Sequence, residues 1–575
     1  MSSHRWWESA VFYQIYPRSF ADGNGDGIGD FQGMINKLDY LASLGIIAVW
    51  LSPHYPSPQL DVGYDIADYT AVNPDYGTLD EFKTFLDGLH QRGIKLVLDL
   101  VLNHTSWEHP WFLESKSSRN NPKRDWYIWR DGKNGNPPNN WVSTFGGSAW
   151  EHDAETDQYY YHFFFKNQPD LNWRNPEVQQ ALFKAVRFWL DLGVDGFRLD
   201  AIGTIFEAPH LPDHKATMSV EELYAKMAPF FFGTATPDML ADREMIHDEF
   251  EKLYEYQVDQ PGVHDLMQEL RKLINQYDDR MLVGETQEAS YYGNGQNELH
   301  QTFNFLLMNA EKLTPQVIID NQNRRLGECP EGCWPANTFN NHDGSRLINR
   351  FGEHKNPIAF ARLQAALLMT LLGTPYLYYG EEIAMSNYVI EDVTKIRDNV
   401  ALFYKSLMEK GLGMSAEEAG KLCGRLSRDI CRTPMQWENA PNAGFSPEGI
   451  TTWLPVNPNY AEGINVADQE TDPESHLNFY RKLIALRNAS PALQTGDYTA
   501  LEQQQNNTLA FLRMLDDTTL MVVLNFSENT QEMDFSQLAK QAKTLYSSNG
   551  NNNETLSLDK VTLAPFGILI TELLT

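Results

Sequence analysis

The chain has 575 residues, 77 of them acidic and 46 basic, so its net charge is −31. That balance excludes nucleic acid and anionic membrane as partners, and the length allows more than one domain. With 42% hydrophobic and 21% charged residues the composition is that of a soluble globular protein, and the 12% of aromatic residues often stand beside Asp, Asn and His, a mixture that suits sugar rings.

The N-terminus, Met1 to Trp7, has no charged head followed by an apolar run, so no leader is expected and the reading is cytoplasmic. Val11 to Tyr16 reads as a strand. In the stretch Asp22 to Asp30, the side-chain oxygens of Asp22, Asn24, Asp26 and Asp30 stand at positions 1, 3, 5 and 9, with Gly27 at position 6. This matches the front half of a calcium loop, with the Ile28 carbonyl as a further ligand; Gly33 replaces the closing Glu. A structural Ca²⁺ is therefore expected, and no organic cofactor. Phe31 to Leu44 has helical spacing and stops at Gly45. Ile46 to Leu51 is a wholly apolar strand, Leu79 to Arg92 a helix, and Lys95 to Leu102 a strand that runs into Asn103-His104. After a helix over Ala181 to Leu192, further strands are expected at Phe197 to Asp200, Met281 to Glu285, Thr302 to Leu307, Thr338 to Asn341 and Pro375 to Tyr379. Apolar strands separated by amphipathic helices argue for a parallel sheet buried on both faces. Eight such units predict an α/β fold, a closed (β/α)8 TIM barrel.

Two segments break the rhythm. Thr105 to Trp173, rich in Trp, Tyr, Asn, Gly and Pro and with no clean helix, is expected to form a domain inserted after the third strand. Gly203 to Ile246 is a second excursion, after the fourth. From about Gly496 short alternating strands predict a C-terminal antiparallel β-domain. The expected division is 1–104 and 174–495 for the barrel, 105–173 for the insertion and 496–575 for the terminal domain. Ala365 to Tyr379 is apolar but is interrupted by Gly373 and Pro375, too broken to span a membrane. Cys329, Cys333, Cys423 and Cys431 are expected as free thiols.

Polar residues recur where the strands end: Asp99 and His104, Arg198 and Asp200, Glu285, and Asn341-His342-Asp343. Arg198 and Asp200 stand at i and i+2 and project to one side of their strand, so the guanidinium should hold the carboxylate ionised and fixed. Three carboxylates at one rim of a barrel are the equipment of glycoside hydrolysis.

These stretches, with Gln168-Pro-Asp-Leu-Asn-Trp173, Tyr379-Gly-Glu-Glu382 and Arg432-Thr-Pro-Met-Gln-Trp437, resemble the α-amylase superfamily, glycoside hydrolase family 13. Within it they are similar to the oligo-1,6-glucosidase and α-glucosidase group. The resemblance implies Asp200 as nucleophile, Glu285 as acid and then base, and Asp343 as stabiliser of the oxocarbenium-like transition state. Net retention would need the first two carboxyls ~5 Å apart. It also implies that Asp61 with Arg432 grips the non-reducing glucose, with Arg428 as the competing choice. Tyr64 would stack under the ring, and His104 and His342 would bond its hydroxyls. Phe145, Phe164, Gln168, Arg198 and Ala201 complete the substrate-contacting set, and the Asp22–Asp30 loop is the group's calcium site.

The implied activity is exo-action on an oligosaccharide or disaccharide. Ala201 follows the nucleophile, where Val accompanies α-1,6 preference in the group; Ala implies that maltose is favoured. A transglucosylase or isomerase would use the same intermediate, but Arg350 to Pro357 lacks the Arg/Asp-rich motif of sucrose isomerases. A non-catalytic relative would need a membrane anchor and need not keep all three carboxylates.

Overall fold

The computed structural model describes residues 5–231, 239, 242–502, 507–550 and 552–574. Its centre is an eight-stranded sheet: β1 Phe12–Ile15, β2 Ala48–Leu51, β3 Lys95–Val101, β4 Gly196–Asp200, β5 Met281–Gly284, β6 Gln301–Thr302, β7 Ala336–Thr338 and β8 Thr374–Tyr378. The order is β7-β8-β1-β2-β3-β4-β5-β6, and every ladder is parallel. β1, β2, β4, β5 and β8 are buried at every position, which suits the mainly apolar runs of β2 and β5, while Gln14 of β1 and Arg198 and Asp200 of β4 are buried polar exceptions. Side chains tie the end of β6 to β7 and β8. Asn304 Nδ2 donates to Asn337 Oδ1 at 3.1 Å, and Gln301 Nε2 donates to Thr374 Oγ1 at 2.7 Å.

The helices take their limits from local chemistry. Leu79–Gln91 opens on a capping box between Thr78 and Glu81. Pro176–Leu192 starts on the Asn175 cap and closes at Gly193, whose φ of 108° only glycine adopts without strain. Each sends the chain back to the same barrel end, so the loops after the strands collect at one rim.

Several expectations need correction. Phe31 to Leu44 is two helices, Phe31–Asn36 and Leu38–Leu44, broken at Lys37. The sixth strand ends at Thr302, because the Asn304 side chain accepts from Leu307 N and starts a helical turn, Phe305–Met308. The seventh lies earlier, at Ala336–Thr338, which leaves Asn341 to Asp343 on the rim. The insertion holds a helix, Pro110–Ser117, beside a small antiparallel sheet of Trp129–Arg130, Gln158–Tyr161 and Trp150–Asp153. Cys329 and Cys333 are joined as a disulfide, against the free-thiol expectation, while Cys423 and Cys431 are free and buried. The second excursion carries helices Val220–Phe231 and Asp242–Tyr254; its residues 232–238, 240 and 241 lie outside the described residues.

The terminal domain is a six-stranded antiparallel sheet in the order Asp497–Ala500, Thr508–Leu515, Thr518–Asn525, Ile568–Leu574, Gln541–Ser547, Thr555–Ser557. Leu509, Phe511, Val522, Leu524, Ile568 and Ile570 belong to the same apolar core as the barrel. Among the described residues no helix is long and apolar enough to cross a membrane.

Candidate active site

A cavity of about 200 Å³ opens at the rim, lined by Asp61, Tyr64, His104, Phe145, Phe164, Asp200, Ala201, Glu285, Asp343 and Arg428. Its chemistry is arranged around two guanidiniums.

The first is Arg198, 1% exposed and set by β4 beneath the cavity floor. Its Nη1 donates to Asp99 Oδ1 at 2.8 Å and to Asp200 Oδ1 at 2.7 Å. Nη2 lies 2.7 Å from Glu285 Oε1. The other Glu285 oxygen accepts the Ala201 N–H at 2.8 Å. One cation thus serves three carboxyls brought from neighbouring strands. Burial pushes the Asp200 carboxyl well above the usual range, the charge of Glu285 adds to this, and Arg198 opposes it. Burial likewise carries Asp99 up to about 6 against Arg198. Burial and the neighbouring carboxyls thus work against ionisation of Asp200 and Asp99, and the single Arg198 charge works for it. The Glu285 side chain is the most open of the three, at 21% exposure against 11% for Asp200 and 0% for Asp99.

A relay fixes the wall above Asp99. Gln14 Nε2 donates to His342 Nδ1 at 2.8 Å, which leaves His342 Nε2 to donate to Tyr64 OH at 2.6 Å. Tyr64 OH donates on to Asp99 Oδ2 at 3.2 Å, and Trp50 Nε1 donates to the same oxygen at 3.1 Å. The Tyr64 and His342 rings stack, with centroids 5.3 Å apart. Burial pushes His342 down to about 3 and His104 to about 4, so both imidazoles are neutral. His104 Nε2 lies 3.0 Å from Gln168 Nε2 and 3.0 Å from the Tyr64 carbonyl.

The second guanidinium is Arg428. Its Nη2 donates to Asp61 Oδ1 at 3.2 Å and its Nη1 to Asp343 Oδ1 at 3.3 Å, while Gln168 Nε2 holds the other Asp61 oxygen at 3.0 Å. The partner of Asp61 is therefore Arg428 and not Arg432. Arg432 is 1% exposed and lies behind the wall, where Nε donates to the His342 carbonyl at 2.7 Å and Nη2 to Asp343 Oδ1 at 2.6 Å. Burial works to raise Asp343, yet His342, Arg432 and Arg428 hold it below the usual range. Since His342 is neutral, the two guanidiniums are the effective cause.

Phe145 and Phe164 line the mouth as a tilted pair 5.7 Å apart, and Phe164 meets the His104 ring edge-on at 5.2 Å. Ala201 takes the left-handed conformation, φ 42° and ψ 44°, which turns its N–H toward Glu285. Sequence reasoning missed Gln14, Trp50 and the helices Asn399–Gly411 and Ala416–Leu426 that lead to Arg428. The helical spacing that marks them gives no sign that they flank a site.

The Asp22–Asp30 loop lies apart from the cavity and closes on its own amides. Asp22 accepts from Gly25 N at 2.6 Å and Gly27 N at 2.8 Å, and Asp26 accepts from Ile28 N at 2.8 Å. Asp30 accepts from Asn24 N at 2.9 Å and caps the next helix through Gly33 N at 2.6 Å. Among the described residues no group of three or more His, Cys, Asp or Glu converges as a metal cluster. The donors are all oxygen, which suits a hard cation, but the Asp30 carboxylate also accepts the Gly23 N–H and so has both oxygens engaged by backbone amides.

Residues 14–496 match the model of the alpha amylase catalytic domain, and residues 498–570 that of the maltogenic amylase C-terminal domain. The chain belongs to the α-amylase family, glycoside hydrolase family 13. It is 41% identical to an oligo-1,6-glucosidase of Parageobacillus thermoglucosidasius, over 98% of each chain. It is 40% identical to an alpha-glucosidase of Candida albicans, over 92% of this chain and 93% of that one. Among solved structures, the trehalulose synthase of Pseudomonas mesoacidophila superposes with a TM-score of 0.86 at 35% identity, covering all of both chains. Its barrel, insertion and terminal β-domain are thus shared with family enzymes that differ in the products their names record.

Proposed function

We propose that this enzyme is a retaining exo-α-glucosidase that releases glucose from the non-reducing end of short α-glucosides, with maltose-like α-1,4 links preferred. The observation that carries the reading is the floor and far end of one small cavity. Asp200 and Glu285 sit on a single guanidinium, and the Asp61–Arg428 pair closes the end beyond them. A closed end admits one terminal ring, so the chain is cut from its tip.

Asp200 attacks the anomeric carbon and forms a β-glucosyl ester, while Glu285 gives its proton to the departing glycosidic oxygen. Glu285 then takes a proton from water, which attacks the anomeric carbon on the face opposite Asp200, where the leaving group had been; the bond from that carbon to the Asp200 oxygen breaks, and α-glucose leaves with Asp200 again a carboxylate. Retention requires the two carboxyls about 5 Å apart, and their contacts with one guanidinium support that spacing. Asp343, kept ionised by its arginines, stabilises positive charge on the ring. Tyr64 supplies the ring platform beside the His104 ring, and His342, which does not line the cavity, holds Tyr64 from behind. A transglucosylase or isomerase differs only in what attacks the ester.

The test is release of 4-nitrophenol from its α-glucoside, with proton NMR of the first-formed sugar. We expect α-glucose, and Asp200→Ala should abolish turnover by several orders of magnitude in a folded protein. β-Glucose as first product, or a fully active Asp200→Ala enzyme, defeats the mechanism. Isomaltulose or trehalulose from sucrose would move the assignment to an isomerase.

We further propose that Asp22, Asn24, Asp26, Asp30 and the Ile28 carbonyl hold a structural Ca²⁺. Native-state binding stabilises by mass action. The melting temperature should fall in strong chelator and recover on adding Ca²⁺; an unchanged transition after verified metal removal leaves a plain turn.

A further inference from the structure

The Arg428 guanidinium is gripped from behind as well as from the cavity. Asp398 Oδ1 accepts from its Nε at 3.1 Å and its Nη2 at 2.7 Å, and Asp398 Oδ2 accepts from the Arg428 backbone N–H at 2.8 Å. The tie is returned by the next residue, since Asp429 Oδ2 accepts the backbone N–H groups of Arg397 at 2.6 Å and Asp398 at 3.0 Å. One step on, the Asn399 side chain donates to the carbonyl of Leu60, the neighbour of Asp61. The segment Arg397 to Asn399 therefore touches both halves of the Asp61–Arg428 pair. It lies in the excursion after β8, far in sequence from either.

Arg428 has three carboxylates in reach: Asp398 at 2.7 Å, Asp61 at 3.2 Å and Asp343 at 3.3 Å. A loosely held guanidinium would swing to whichever partner gave the shortest bonds. Swinging onto Asp343 would crowd an oxygen that already accepts Arg432 Nη2 at 2.6 Å and would leave Asp61 uncompensated. Asp398 prevents this by taking the Nε–Nη2 edge, a fork that fixes the guanidinium plane. Asp398 is 1% exposed, so the grip is shielded from solvent. Although burial works to raise it, Arg428 holds its carboxyl below the usual range and keeps it charged.

We propose that Asp398 is a positioning residue for the glucose pocket, aiming Arg428 so that its remaining N–H groups meet Asp61 and the hydroxyls of the bound glucose. The proposal rests on the reading of Asp61–Arg428 as the closed end of that pocket. A purely structural role is the alternative, because Asp398 also accepts from Val400 N at 3.1 Å and caps the helix Asn399–Gly411.

Asp398→Ser separates the two, since serine caps a helix well but cannot form the fork. We expect the melting temperature to change little, while KM for maltose and the inhibition constant of glucose rise about tenfold, below the roughly 100-fold that a misplacement of about 1 Å can cost. In an Arg428→Ala background, Asp398→Ser should add less than about twofold, because residues acting through one another are not additive. Unchanged glucose inhibition in Asp398→Ser, or a full additional loss in the double variant, overturns the positioning role. If Arg428→Ala alone leaves glucose inhibition at the wild-type level, the closed-end reading itself fails, and the positioning role with it. Should Asp398→Ser not fold, Arg428→Lys keeps the charge and loses the fork. A matching rise in the glucose constant then supports the proposal, and a wild-type constant overturns it.

Discussion

Ala201 concentrates several demands in one methyl group. It follows the proposed nucleophile, lines the cavity, and holds Glu285 through its backbone N–H at 2.8 Å. Ala201 also takes φ 42°, a region costing roughly 1–2 kcal/mol for a residue with a Cβ and more for a β-branched one. Strain of this kind persists where surrounding structure over-determines it, as three carboxyls around Arg198 do here. Ala201→Val therefore has two expected effects. Its γ-methyls narrow the space for an α-1,4-linked second ring, so the maltose-to-isomaltose ratio of kcat/KM should fall by about 10- to 200-fold, mostly through lost maltose activity. The melting temperature should fall as well, whereas Ala201→Gly, free of the strain, should not lower it. Parallel kinetics on both disaccharides check the first effect and calorimetry the second. An unchanged ratio would show that the second ring is shaped elsewhere, for instance by Phe145 and Phe164.

Elements that are buried on both faces were legible as apolar runs, and polar groups at their ends stood out against that background. β6 and β7 were not, because Gln301–Thr302 and Ala336–Thr338 are short and polar, and their amide side chains do the stitching that apolar packing does elsewhere. The choice between Arg428 and Arg432 was equally hidden. Both follow the same excursion, and what separates them is Asp398, 30 residues away from Arg428. The turn after β8, Glu381–Ile383, offers a prediction of its own. Glu381 is 4% exposed and accepts from Tyr480 OH at 2.7 Å. Burial raises its carboxyl from 4.5 to about 8, the charge of the neighbouring Glu382 adds to this, and Arg346 opposes it. A raised folded value means that the native state keeps a proton the unfolded chain has lost. Its contribution is then complete below about 4.5 and drains away as pH rises to about 8. Glu381→Gln, neutral throughout, should flatten that part of the stability curve. The check is urea unfolding of both proteins between pH 5 and pH 9, pH values chosen to span about this window. Equal slopes would mean that Glu381 is already ionised in the fold.

At the scale of the whole molecule, two buried arginines face carbonyls: Arg487 ties elements within the barrel, and Arg513 joins the barrel to the terminal β-domain. Arg487 donates to the carbonyls of Met369 at 2.8 Å, Leu493 at 3.0 Å and Gly373 at 2.8 Å. Arg513, on the terminal sheet, donates to Thr370 O of the barrel helix at 2.6 Å and to Gly496 O at 2.9 Å. Both are fully buried, and burial pushes Arg487 down to about 9 and Arg513 well below the usual guanidinium range. Such groups are costly to bury, and they hold because their Nη donors, with Arg513 Nε, meet backbone carbonyls, while Arg487 Nε finds no partner. The apolar core is shared as well, since Phe511 and Val522 of the terminal sheet cluster with barrel residues. Two units that share a core and such a junction should unfold together. We expect one calorimetric transition for the wild type. Arg513→Ala orphans buried carbonyls at the junction and should cost about 2–4 kcal/mol while the transition remains single. Arg513→Met fills the same space and escapes the cost of burying a charge, so it should lose less than Ala does. An early, separate melting step of the terminal domain in the wild type would refute the shared core, and full stability in Arg513→Ala would remove Arg513 from the junction.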